Sequence, residues 1–143
     1  MLYQEFYIGK YDWKVCVFYD TTEEDTDEVM EYLFHIGCDG ITAQRAYQNL
    51  SSNEPNTGLT YSRGGNTCIV LGYATDRGNF AHTYVHEITH CAIHIARATG
   101  VDFESEELAY IAGDLAEVML PFASKFMCAC CDNNKQLNNY DYE

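Results

Sequence analysis

Hydrophobic residues fall in short aromatic and β-branched runs early in the chain and at helical spacing later on. Leu2–Ile8 and Trp13–Tyr19 read as two strands. Gly9-Lys10-Tyr11-Asp12 turns between them, so the pair predicts a hairpin. Thr21-Thr22-Glu23-Glu24 matches a capping box, with Thr21 as cap and Glu24 as its partner three positions on. The helix it opens carries Val29, Met30, Leu33 and Phe34 at core spacing and stops near Gly37. A short helix from about Thr42 to Leu50 follows, then a polar loop, Ser51–Gly58, that contains Pro55. Leu59–Ser62 and Thr67–Gly72 flank Arg63-Gly64-Gly65-Asn66, a strong hairpin signal. After a polar link over Ala74–Asn79, helical spacing runs from Phe80 to Thr99, where Gly100 stops it. A second long helix is expected from near Asp102 to Leu120, before Pro121, with Phe122–Cys131 continuing as helix. This order predicts one α+β domain over residues 1–131: a small, mostly antiparallel sheet packed against helices. Residues 132–143 are polar and asparagine-rich, and are expected to form a loose tail.

The first long helix carries the chemistry. His86-Glu87-Ile88-Thr89-His90 has the form H-E-x-x-H. Two histidines four positions apart on a helix face the same way, so their ring nitrogens can share one zinc ion. A glutamate between them can act as general base toward a water on that ion. At about 100° per residue, Val85, Ile88, Ala92, Ile95 and Ala96 share a face, the expected core side. His82, His86, His90 and His94 form a second stripe, each one turn from the next. His82 and His90 are separated by about 12 Å along the axis, so only a neighbouring pair can hold one metal. The enclosed glutamate selects His86 and His90. This leaves His82 and His94 as supporting or surface groups.

A catalytic zinc usually takes a third protein ligand and keeps one position open. Glu104, Glu106 and Glu107 stand in the first turns of the next helix, where carboxylates also suit the helix dipole. Ala109, Ala112, Gly113 and Ala116 form a strip of small residues that another helix can approach closely. Glu106 borders that strip and Glu107 points away. If the motif helix packs on the strip, Glu106 is the better ligand.

H-E-I-T-H followed sixteen positions on by E-E-L-A-Y-I-A-G resembles the gluzincin arrangement of thermolysin-like metallopeptidases. There a downstream helix supplies a glutamate, with a small residue three positions later and a glycine seven positions later. Glu106, Ala109 and Gly113 occupy those places. The same E-x-x-A-Y-x-x-G pattern is similar to small standalone zincin-like proteins of phages and bacteria. The resemblance covers about residues 66–120. It implies a zincin-like metalloprotease fold in which His86, His90 and Glu106 bind Zn2+ and Glu87 is the base. It further implies that an edge strand, for which Thr67–Gly72 is the candidate, pairs with an extended peptide above the metal. Where thermolysin-like enzymes place an aspartate that supports a zinc-bound histidine, this chain has Tyr110. Tyr84, Tyr110, His82 and His94 are the candidates for stabilising the transition state.

At 143 residues the chain is long enough for a real core. Its start lacks a basic region followed by an apolar stretch, and no apolar run approaches the ~20 residues of a membrane span. A cytoplasmic protein is expected. The seven cysteines, an odd number with no export signal, then read as free thiols. A formal charge of −14 excludes phosphate-contact binding of nucleic acid and docking on acidic membranes. The expected partner is a peptide or protein substrate, basic ones being favoured. The same acidity supports a competing class, a non-catalytic acidic protein that binds or inhibits a partner, such as a phage product acting on a host protein. Asp20, Glu23, Glu24, Asp25, Asp27, Glu28 and Glu31 lie together without a Lys or Arg, which also fits a solvated helix start.

Overall fold

A computed structural model of the chain describes residues 1–127. The expectations for Phe122–Cys131 as helix, in its last four residues, for Cys128, Cys130 and Cys131, and for the tail lie outside them. Strands β1 (Leu2–Ile8) and β2 (Trp13–Thr21) form the expected hairpin, with Asp12 in the left-handed region at its turn. Helices α1 (Thr26–His35) and α2 (Gly40–Ser51) follow, then β3 (Gly58–Arg63) and β4 (Asn66–Gly72). The chain ends its described part with α3 (Arg77–Thr99) and α4 (Glu106–Met127). Gly64 and Gly65 turn β3 into β4 with φ of 58° and 80°. Two positive φ values in a two-residue loop are what a primed hairpin turn needs, and glycine adopts them without strain.

The sheet order is β1-β2-β4-β3. The two hairpins are antiparallel, but β2 and β4 pair in parallel, with Val17 opposite Ile69. The sheet is therefore mixed. The two central strands are buried on both faces, as strands covered on both sides must be. Val15, Val17, Tyr19, Ile69 and Leu71 face α3 and α4, and Cys16, Phe18, Cys68 and Val70 face α1 and α2. The result is three layers, with helix pairs above and below the sheet. Among the described residues, Cys16, Cys38, Cys68 and Cys91 are buried free thiols, and no helix is long and apolar enough to cross a membrane.

Several local expectations shift. The capping box forms one residue later, between Thr22 and Asp25, and opens a single 3-10 turn ahead of α1. Phe34 and Val85, read as core positions, are 58% and 60% exposed. Asp76 caps α3 by accepting from the Asn79 N–H, so the helix starts inside the expected polar link. α4 starts at Glu106, because Asp102–Ser105 closes a turn of its own, and it runs through Pro121. The largest correction concerns how α4 packs. Its buried stripe is Ile111, Leu115, Met119 and Ala123; of the small-residue strip, Ala112 and Ala116 pack partly buried against the core, while Ala109 and Gly113 are exposed. A methyl group added at Gly113 meets nothing within 4 Å. Gly113→Ala should therefore raise stability by about 1 kcal/mol, since it removes a mid-helix glycine without a clash. Thermal unfolding reads this as a rise of roughly 4 °C, and a fall would restore the strip as a contact.

Candidate metal centre

The buried face of α3 comprises Phe80, Thr83, Tyr84, Glu87, Ile88, Cys91, Ala92, Ile95 and Ala96, at the three- and four-residue steps of a helix on a core. His86 and His90 stand at its border, exposed, with their Nε2 atoms 3.2 Å apart. Two nitrogens that share a tetrahedral zinc at about 2.0–2.1 Å stand about 3.3 Å apart, so the pair is already at ligand spacing. Among the described residues the possible metal-holding group is His86, Glu87 and His90, with ligand atoms within 4.8 Å of one another.

Glu87 is the buried member, 4% exposed, under the edge strand β3. Thr60 Oγ1 donates to its Oε2 at 2.9 Å and also lies 3.2 Å from its backbone carbonyl oxygen. Oε1 remains, 3.8 Å from His86 Nε2. One carboxylate oxygen is thus held by the sheet and the other turned to the histidines. Burial pushes the Glu87 pKa above the ordinary carboxylate value, against the Thr60 hydrogen bond and the two histidines, which favour the charged form. Gly58 explains how the strand comes so close: a methyl group there would lie 2.8 Å from Glu87 Cγ and from Thr83 Cγ2.

The other candidates are placed as follows. His82 and Tyr110 are exposed, Tyr110 at 68%. His94 is half-buried and its Nδ1 lies 2.7 Å from Ser62 Oγ of β3. Burial, then the nearby His90 and Arg97 charges, lowers its pKa below the ordinary histidine value. Glu106 is exposed and stands outside the His86–Glu87–His90 group. The reason lies in the helix faces. β3 meets α3 at Thr83 and Glu87, beside the histidines. α4 meets it at Tyr84, whose hydroxyl donates to the Ala116 carbonyl, and at about 100° per residue Tyr84 lies about 120–160° around the axis from the pair. Glu107, also proposed for that region, bonds Tyr11 at 2.7 Å and Lys10 at 3.2 Å instead. Nor is Thr67–Gly72 the edge strand: β4 lies between β2 and β3, and the open edge next to the motif is β3.

Sequence reasoning missed Gly58, Thr60 and Ser62. A signal was present, since Thr60 and Ser62 are polar at a two-residue step within a strand and so project from one face. That face meets α3. Comparison with known proteins adds no relative: no family model, no curated protein and no solved structure matches the chain.

Proposed function

We propose that this protein is a zinc-dependent hydrolase of peptide or closely related amide bonds. The observation that carries the reading is the convergence of His86 and His90 at 3.2 Å beside a buried carboxylate held by Thr60. The donor set fits zinc, being two imidazoles on one helical turn. Zinc held there would polarise a carbonyl and make an attacking water more acidic. Glu87 Oε1 accepts the proton of that water as its oxygen bonds to the carbonyl carbon. Glu87 then delivers the proton to the leaving nitrogen as the C–N bond breaks. Thr60 keeps the carboxylate turned toward the pair through both transfers.

The open edge of β3 supports a peptide as substrate. Gly72 N–H donates to the Thr57 carbonyl, and Gly58 is opposite Leu71. In an antiparallel ladder alternate residues carry the bonds to the neighbour. Leu59, Tyr61 and Arg63 therefore face β4, and Thr60 and Ser62 turn their N–H and C=O groups outward. An extended peptide can add to such an edge, directly beside the histidines.

Elemental analysis of untagged protein, purified without added metal or chelator, tests the reading. About one zinc per chain is expected, lost in His86→Ala. No zinc, with no uptake when it is offered, would overturn the proposal. The resemblance implies Glu106 as third ligand, and Glu106→Ala should then lower zinc content more than Glu107→Ala. Equal content in the two variants would remove Glu106 from the set.

A further inference from the structure

One turn beyond His90, the C-terminal half of α3 and the end of β3 border an open surface cavity of about 300 Å³, lined by Trp13, Ser62, Gly64, His94, Arg97 and Ala98. Its polar groups are connected in a way that decides what it can bind. The Trp13 indole N–H, which can only donate, reaches Thr67 Oγ1 at 2.8 Å. Thr67 Oγ1 is 2.7 Å from Ser62 Oγ, and Ser62 Oγ is 2.7 Å from His94 Nδ1. The single Thr67 hydroxyl hydrogen has two acceptors in reach, the Ser62 oxygen and the Cys91 sulfur. Sulfur is the weaker acceptor, so we assign the hydrogen to Ser62. The Ser62 hydrogen then goes to His94 Nδ1. An imidazole that accepts at Nδ1 carries its own hydrogen at Nε2. In this arrangement His94 presents an Nε2–H donor as its remaining polar atom. The second polar group is Arg97, which is exposed, carries only donors and has its guanidinium carbon 5.9 Å from the Phe103 ring centroid. Arg63 also lines the cavity; its Nη1 donates to the Gly37 carbonyl and lies 3.9 Å from Asp39 Oδ1.

The side-chain groups of the pocket that remain free, on His94 and Arg97, are donors, and a guanidinium beside an imidazole N–H suits a carboxylate. We propose that this cavity is an anion subsite that takes a carboxylate of a peptide laid along β3, either an acidic side chain or a free C-terminus, through His94 Nε2–H and Arg97. The His90 and His94 ring centroids are 6.2 Å apart, so a peptide held beside the histidine pair and Ser62 reaches the cavity within a few residues. As an anion site it stands on its own; as a substrate subsite it rests on the reading of the preceding section.

The test uses chelator-treated, zinc-free protein, so its outcome is separable from that of the metal analysis. Two probe pairs are titrated and followed by the 15N and 1H shifts of His94 and Arg97. One pair is trialanine and its C-terminal amide. The other is acetyl-Ala-Asp-Ala-amide and its Asn counterpart. Saturable shifts at both residues are expected with a carboxylate probe, about tenfold weaker with its neutral partner, and about tenfold weaker in Arg97→Gln. Binding of trialanine alone identifies the C-terminus as the ligand, and binding of the Asp peptide alone identifies the side chain. The 15N shifts of the free protein should place the His94 proton on Nε2. A proton on Nδ1, equal binding of neutral and anionic probes, or no shift with either carboxylate would overturn the assignment.

Discussion

Glu87→Gln should leave zinc content unchanged and lower peptide hydrolysis by about 10²–10⁴-fold, the range that a positioned general base contributes. Glutamine keeps the shape of the side chain and can still accept from Thr60 through its amide oxygen, so the pocket keeps its packing. What it loses is the ability to take and return a proton. Retained turnover would remove Glu87 from the mechanism, and lost zinc would make it a ligand instead. The same variant has a second readout that needs no substrate. Burial raises the pKa of Glu87 above its ordinary value of 4.5. A group whose folded pKa is raised contributes stability that is full below the unfolded pKa and is lost as pH rises through the folded one. At neutral pH the metal-free protein therefore holds an unfavourable buried charge. Glu87→Gln should be the more stable of the two there, and the difference should shrink toward pH 4. Denaturant melts of both proteins at pH 4 and pH 7 measure it. A variant less stable than wild type at pH 7 would mean that Thr60, His86 and His90 together outweigh the cost of burying the charge.

Gly58→Val should cost about 3 kcal/mol and disable the site together. The first added carbon already lies 2.8 Å from both Thr83 Cγ2 and Glu87 Cγ, and 3.0 Å from Glu87 Cδ. Thr83 is held on the helix and Glu87 is fixed by Thr60, so neither gives way without loss. The two further methyls of valine have no space between strand and helix, and overpacking of this kind typically costs 1–3 kcal/mol or somewhat more. Either β3 lifts from α3 or the carboxylate swings out, and in both cases the Thr60–Glu87 hydrogen bond breaks. Urea unfolding reads the first consequence, and hydrolysis at unchanged zinc content reads the second. Wild-type stability in this variant would show that strand and helix are not in close contact at Gly58.

Legibility in the sequence followed the range of the interactions. Both hairpins were readable because their turns carry their own chemistry, as Gly64 and Gly65 show with φ values that other residues resist. The motif helix was readable because its apolar positions repeat over six turns and Gly100 marks its end, although its start at the Asp76 cap was placed a few residues late. The histidine pair was readable for the same reason, since a four-residue step on a helix is a local distance. The parallel pairing of β2 with β4 was not, because neither strand carries a mark of its remote partner, and with it went the identity of the edge strand. The small residues of α4 misled. Ala109 and Gly113 looked like a contact surface, yet the helix turns its larger apolar residues, Ile111, Leu115 and Met119, to the core, where each buries more area. That choice set α4 on the Tyr84 flank of α3, with Glu106 outside the His86–Glu87–His90 group. Val85 misled in the opposite sense, an apolar residue that is exposed among the described residues.

The parallel pairing also has a consequence for synthesis. β2 is complete at Thr21, but its partner β4 begins at Asn66 and is finished only at Gly72. During translation one flank of an apolar strand, buried on both faces in the finished molecule, therefore has no ladder to join while about fifty more residues are added. At 5–20 residues per second that wait is on the order of 3–10 s, long beside the microseconds in which the β1–β2 hairpin closes. The nascent chain is most exposed to aggregation in that interval, and slower growth at low temperature, or a chaperone that shields a strand edge, acts on it directly.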